Sequence, residues 1–303
     1  VPRFGGAETD TGPLLDEGLL REINRLGLVS RGAYTEWLTG EHEGRRKTQA
    51  VEFADYRGYV PGDDFRQIDW YAYARLGELF VKTSTAPETI TLSLLLDCSR
   101  SMDWGRPNKL RYAKRLAAAL GAVALLRSDR VQVFALTDGQ AQSGPPLMGP
   151  SSLVTLAEEL EALPVGGQTD LAASINAYRQ RSDPRGLVVL ISDLLVPAAG
   201  VEALRDLGAM GMPAVVLHIM DPAEVTPTQN GTLQLRDLET GDLVTLTLTP
   251  RLREQYARLF EARVRRLGEI CSASDIEYLQ VPTNLPPAQL LAGVFLDHQV
   301  LQV

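Results

Sequence analysis

The stretch LSLLLDCSRSM, residues 92–102, decides how this chain is read. An apolar run ends on Asp97, and hydroxyls follow at Ser99 and Ser101. A strand of that character belongs in the middle of a sheet, where its C-terminal end opens into the crevice in which α/β proteins bind ligands. Asp-x-Ser-x-Ser places three oxygen side chains at alternate positions of one short loop. That is hard-donor chemistry, suited to magnesium or manganese and not to zinc or copper. A structural reading stands beside it: loops after buried strands are commonly polar, and the serines could close a turn.

Two later segments bear on the choice. In VGGQTDLAAS, residues 165–174, Thr169 and Asp170 follow paired glycines and lead into a helix-like stretch. In GLVVLISDLLVP, residues 186–197, a second apolar run ends near an acid, Asp193. If strands 90–97 and 187–192 are neighbours, both carboxylates come to one rim. DxSxS, a Thr after glycines and an Asp ending a later strand resemble the metal-ion-dependent adhesion site of von Willebrand factor A domains. That resemblance implies Mg²⁺ (or Mn²⁺) as the cofactor, held by Asp97, Ser99, Ser101, Thr169 and Asp193. It further implies direct contact from the serines and threonine, with the aspartates acting mostly through water. The structural alternative keeps Asp97 and Asp193 as helix caps.

At 303 residues the chain accommodates one full α/β domain and an additional region. Its 45% hydrophobic and 22% charged residues are ordinary for a globular protein. A net charge of -8 argues against nonspecific nucleic-acid binding and against an anionic membrane surface. The cluster Arg45, Arg46 and Lys47 is too small to reverse that and reads as a solvated loop. Cys98 and Cys271 are the two cysteines, and their placement fits reduced thiols in a cytoplasm. The opening VPRFGGAETDTG lacks the pattern of a secretion signal, and no apolar run has the length of a membrane span. A cytoplasmic protein without an integral membrane segment is expected.

Leu15, Leu19, Ile23 and Leu26 recur at helical spacing and predict a first helix over 14–28. A compact helix is expected near 65–75, with Asp64 as its N-cap. Beyond residue 87 strands and helices alternate: strand 90–97, helix 109–127, strand 131–136, a short edge strand within 142–148, and a helix from 151 or 152 to about 163. Helix 170–181, strand 187–192, helix 198–209 and strand 214–219 follow. On helix 109–127, Leu110, Ala113, Ala117, Leu120 and Ala124 share a face, with Lys109, Arg111, Lys114 and Arg115 mostly off it. The rhythm predicts a doubly wound, mostly parallel sheet covered on both faces, a three-layer α/β fold. Residues 221–249 break it with a β-hairpin insertion around Glu239-Thr240-Gly241-Asp242. Helix 252–270, strand 275–282 and a helix from 286 complete the pattern. The expected division is 1–86, an N-terminal helix and β-containing region, and 87–303, the sheet domain.

RGYVPGDDFRQIDWYAYARLGELFVK, residues 57–82, is the second distinctive segment. Arg57, Asp63, Asp64, Arg66, Asp69, Arg75, Glu78 and Lys82 alternate in sign among Tyr59, Phe65, Trp70 and Tyr73. A structural arginine–carboxylate network, a docking surface and catalytic use of an aspartate are its three readings. The segment resembles the signature of the bacterial family called domain of unknown function 58, in which it precedes a von Willebrand A-like half. The likeness runs from about residue 40 to residue 290 and takes in SDLL and TNLPPAQLL. Members are commonly encoded beside MoxR-type AAA+ ATPases, which implies a role as adaptor or assembly factor. Many members carry N-terminal transmembrane helices, with which this chain does not start.

Three function classes follow. The five oxygen residues could hold a cation that accepts a carboxylate from a partner protein, which makes a metal-dependent protein-binding module without catalysis. A magnesium- or manganese-dependent phosphoester hydrolase would need a base or a second metal. The third class is a structural module with an unoccupied site. His218, in an apolar strand, reads as a satisfied core residue, and Asp103 and Asp170 read as caps or supporting groups.

Overall fold

The computed structural model describes residues 12–21, 23, 55–59, 68, 70, 73, 75, 77–83, 89–181, 186–229 and 231–291. The chain divides into two compact units, Gly40–Thr89 and the combination of Val1–Thr39 with Ile90–Val303. In the smaller unit β1 (Asp55–Gly58) pairs antiparallel with β2 (Phe80–Thr83). Trp70 and Tyr73 are exposed there, and their rings meet edge to face with centroids 6.2 Å apart. Asp63, Asp64, Arg66 and Asp69 lie outside the described residues, as do the side chains of Arg57 and Lys82.

The larger unit is a three-layer α/β structure. Its sheet contains β3 (Thr91–Asp97), β4 (Arg130–Thr137), β5 (Gln140–Ser143), β6 (Leu147–Met148), β7 (Leu187–Ser192), β8 (Ala214–Met220) and β11 (Ile276–Pro282). The order is β11-β8-β7-β3-β4-β5, with β6 also paired to β4. β11, β8, β7, β3 and β4 run parallel, and β5 and β6 are antiparallel to β4. The near-continuous apolar runs follow from burial on both faces. Leu94 and Leu96 of β3 enter the core on one face, and Leu95 enters the core on the other. β3 has β4 on one side and β7 on the other, so its C-terminal end is the topological switch point.

One face is covered by α1 (Lys109–Leu126) and α2 (Leu153–Ala162), and the other by α3 (Leu171–Arg181), α4 (Ala198–Glu202), α5 (Leu204–Gly208) and α7 (Pro250–Ser272). The single helix expected over 198–209 is thus two short ones. Leu14, Leu19 and Ile23, beside the helical turn at 17–21, are buried in the same core as α1. The N-terminal helix therefore groups with the sheet and not with residues 40–86. Two of the residues expected off the apolar face of α1, Lys109 and Lys114, are nonetheless buried, 0% and 6% exposed. α1 is packed on its flanks as well as its sheet side, and Lys114 Nζ donates to the carbonyls of Glu161 and Leu163 at the end of α2, both at 3.1 Å. Among the described residues no helix is long and apolar enough to cross a membrane.

After β8, Asp221 opens α6 (Pro222–Val225) with a capping box closed by Glu224. β9 (Gly231–Arg236) and β10 (Leu243–Leu248) then form a separate two-stranded sheet, the expected hairpin. Register places Leu235 opposite Val244 and Leu233 opposite Leu246 on one hairpin face, while Thr232 faces Thr247 on the other. No residue of either strand is buried.

Candidate metal centre

The site is built on three loops at the C-terminal rim of the sheet. The first leaves β3. Leu96 pairs with Ile191 across β3 and β7, which brings Asp97 alongside Ser192. Asp97, 1% exposed, accepts the Ser192 hydroxyl at 2.6 Å on Oδ2 and the Ser99 amide at 3.0 Å on Oδ1. The Ser99 and Ser101 hydroxyls lie 3.0 Å apart, on a turn anchored by buried Met102. Asp97 thus both shapes the loop and aligns the two hydroxyls, so the turn and the donor set are one arrangement.

The second loop carries the paired glycines. Gly166 donates its amide to the Cys98 carbonyl at 3.0 Å, and the Arg100 amide donates to the Gly167 carbonyl at 3.4 Å. A Cβ on Gly167 would meet the Asp138 carboxylate at 2.5 Å, and its φ of +78 is one that side chains resist. Gly167 therefore lets the second loop approach the β4–β5 turn closely, while backbone hydrogen bonds tie it to the first loop. Asp97 and Thr169 line a common pocket with Leu136, Thr137, Gln168 and Leu171. Asp170 caps α3, accepting the Ala173 amide at 3.0 Å. Asp103 accepts from the Asn108 side chain at 2.8 Å.

Asp193 begins the third loop and is engaged on every side. Its Oδ2 accepts Lys109 Nζ at 2.7 Å and its Oδ1 accepts the Leu195 amide at 3.1 Å. Lys109, fully buried, also donates to Glu224 Oε1 at 2.5 Å and lies 5.8 Å from the centroid of the Trp104 ring. The Asp193 carbonyl accepts a hydrogen bond from His218 Nε2–H at 2.9 Å, which leaves Nδ1 to accept one from the Tyr278 hydroxyl at 2.6 Å. His218 is the satisfied core histidine expected. Arg263 of α7 steadies the loop by donating to the Leu194 and Val196 carbonyls.

Electrostatics follow from this packing. Burial, and then the charge of Asp193, push the Asp97 carboxyl up to about 6. Burial holds the His218 imidazole down at about 4, so it stays neutral. Burial would lower Lys109, but Asp193 and Glu224 more than offset it and hold the ammonium above its ordinary value. Cys98 is a buried free thiol, pushed up to about 12 by burial and by Asp97. Asp193 and Glu224 thus share one buried ammonium, while Asp97, close enough to feel the Asp193 charge, has no cation among the described residues paired with it.

That excess of negative charge, beside hydroxyls of Ser99, Ser101 and Thr169, fits a hard cation. Among the described residues no three His, Cys, Asp or Glu side chains form a group that could hold a metal ion. Asp193 is at the rim as expected, with its carboxylate given to Lys109. Sequence reasoning missed Lys109, Ser192, Glu224 and Glu239. For Glu224 a signal existed: Asp221-Pro222-Ala223-Glu224 has capping-box spacing after a strand. For Lys109 none did, because its partners are 84 and 115 residues away.

The chain is similar in sequence to known proteins and, more distantly, to solved structures. The family model described as protein of unknown function DUF58 matches residues 55–266. Uncharacterized protein Rv1480 of Mycobacterium tuberculosis and uncharacterized protein Mb1516 of Mycobacterium bovis are each 30% identical over 260 residues, spanning 82% of this chain and 79% of the relative. Among solved structures, conserved hypothetical protein BatB from Bacteroides thetaiotaomicron is 20% identical over 70% of this chain and 98% of its own, with a TM-score of 0.43. A von Willebrand factor type A protein from Catenulispora acidiphila is 16% identical over 70% of this chain and 42% of its own, with a TM-score of 0.41.

Proposed function

Because this chain belongs to the DUF58 family, whose description assigns no activity, we propose a function from the site itself: a metal-dependent protein-binding module. What supports it is that Asp97, bonded to the Ser99 amide beside the Ser99–Ser101 hydroxyl pair, also lines a pocket with Thr169 at the switch point of the sheet. Those four side chains would hold Mg²⁺ or Mn²⁺, with Asp193 as a nearby counter-charge. Bound there, the ion supplies an electrophilic centre for a partner's carboxylate oxygen. The chain's residues supply the rest: Asp97 orients the serines, Ser192 orients Asp97, and Lys109 offsets part of the buried negative charge.

No turnover is part of this reading. A hydrolase needs a base with a free lone pair, and His218 commits both ring nitrogens, to Tyr278 and to the Asp193 carbonyl. The partner class we propose is a MoxR-type AAA+ ATPase or its client, a choice that rests on the family resemblance. Calorimetry with Mg²⁺ and Mn²⁺ tests the metal: wild type binds at one site, and Asp97→Ala does not. Pull-downs then compare wild type, Ser99→Ala and Thr169→Ala in magnesium and in chelator. Recovery of the ATPase or client that ignores both substitution and chelation overturns the metal-bridged contact. Phosphoester turnover that disappears in Asp97→Ala would establish a hydrolase instead.

A further inference from the structure

One carboxylate already reaches the site from within the chain. The Thr169 hydroxyl donates to Glu239 Oε1 at 2.9 Å, and the Thr169 amide lies 3.4 Å from Glu239 Oε2. Glu239 sits at the tip of the β9–β10 hairpin, 70 residues further along the chain. Asp237 fixes its direction by accepting the amides of Glu239 and Thr240, both at 2.8 Å. The turn is closed by the Asp237 amide on the Asp242 carbonyl at 2.8 Å and by Gly241 at a φ of +80. Glu239 is half-buried while Asp237, Leu238 and Thr240 beside it are exposed. A tight turn thus delivers a single acidic side chain to the one threonine of the donor set.

The stem of the same hairpin is attached by little burial. Every residue of both strands is exposed or half-exposed, and Leu235, Leu243 and Val244 are among the exposed apolar side chains. A two-stranded ribbon that buries no face gains little from burial. Removing its tip from the site costs the two charge-assisted hydrogen bonds from Thr169 to Glu239 and no core packing.

We propose that Glu239 is the resident ligand of the metal site: it takes the position beside Thr169 that a partner's carboxylate would take, and the partner must displace it. This rests on the metal-site reading above. It also names the ligand class, a glutamate presented on a tight acidic turn of the form Asp-Leu-Glu-Thr-Gly-Asp. An apparent affinity is reduced by the fraction of molecules whose site is already filled, so removing the resident carboxylate tightens binding of the same group supplied from outside.

The test uses the full chain with Mg²⁺ and a synthetic hairpin peptide spanning 231–248. Glu239→Ala, with Glu239→Gln as the isosteric control, binds the peptide about tenfold more tightly than wild type in magnesium, and chelator abolishes the difference. In wild type, magnesium slows amide hydrogen exchange across 231–248 and around Thr169, and the Glu239 variants lose that slowing. Equal peptide affinity in wild type and variants, or hairpin exchange indifferent to Glu239, overturns the proposal. If Mg²⁺ still binds wild type and not Asp97→Ala in that case, the metal reading stands and only the resident ligand falls. Failure of Mg²⁺ to bind wild type or the Glu239 variants overturns both.

Discussion

Lys109 is an ammonium with no exposed surface, held between Asp193 and Glu224. Breaking a buried ion pair by removing one member costs about 3–5 kcal/mol, because the remaining charge is left uncompensated. Lys109→Met leaves both carboxylates without their cation, and Asp193 adds its charge to that of Asp97. Urea unfolding should show a loss of that order in chelator and a smaller loss in magnesium, since an ion in the site replaces part of the missing charge. An equal loss in both conditions would show that the site takes no cation. Acid stability gives a second residue-level test. His218 is lowered from 6.5 to about 4, so the unfolded chain takes the proton first. Its contribution is present above pH 6.5 and is lost as the pH falls towards 4. Asp97 is raised from 3.8 to about 6, so the folded protein takes the proton first. That contribution is present below 3.8 and is lost as the pH rises through about 6. The two oppose each other between about 4 and 6. In metal-free protein, His218→Gln should therefore gain on wild type by up to ~3 kcal/mol as pH is lowered from 6.5 to 4. A difference between the two proteins that does not vary with pH would show that His218 is not held neutral.

At the scale of elements, the strands that set the site were legible and their long-range partners were not. β3 and β7 announce themselves as apolar runs because both faces are buried, and Asp97, Ser99, Ser101 and Asp193 stand at or just past their C-terminal ends, while Thr169 follows the paired glycines before α3. The hairpin was legible from Glu239-Thr240-Gly241-Asp242 between alternating segments. The flanks of α1 were not, because a hydrophobic stripe gives one buried face and cannot register that α2 covers another. The Glu239–Thr169 and Lys109–Asp193 contacts depend on tertiary placement over 70 and 84 residues, which local pattern does not encode. Gly186 shows what local geometry demands of an element. A Cβ there would sit 2.0 Å from the Thr91 carbonyl oxygen at a φ of +121, where β7 starts beside β3. Gly186→Ala should cost roughly 2–4 kcal/mol in chemical denaturation and, by shifting β7, weaken magnesium binding. By contrast Val244→Thr on the exposed hairpin stem should change stability by less than about 0.5 kcal/mol. A large loss from that substitution would mean that the stem is packed and not free.

For the whole molecule, the division into units runs across the order of the chain. Residues before Gly40 and after Thr89 form one unit, so Gly40–Thr89 is in effect an insertion between the N-terminal turn and the first sheet strand. The sheet unit has what a domain needs without it. Leu14, Leu19 and Ile23 close the core over α1, and the re-entry point is fixed where the Ile90 carbonyl accepts the Arg130 amide at 2.8 Å and the Ile90 amide donates to Asp129 at 3.2 Å. The metal donors all lie on this unit as well. Replacing Gly40–Thr89 by a flexible Gly/Ser linker of about twenty residues, which spans roughly 25 Å on average, should leave a cooperatively unfolding protein. Circular dichroism should retain the α/β signature, and calorimetry should retain the magnesium site with its dependence on Asp97. Deleting residues 1–39 instead removes three buried side chains from the core and should cost several kcal/mol. If the linker variant loses cooperative unfolding while the N-terminal deletion keeps it, the sheet unit depends on the inserted segment, and the two units do not fold independently.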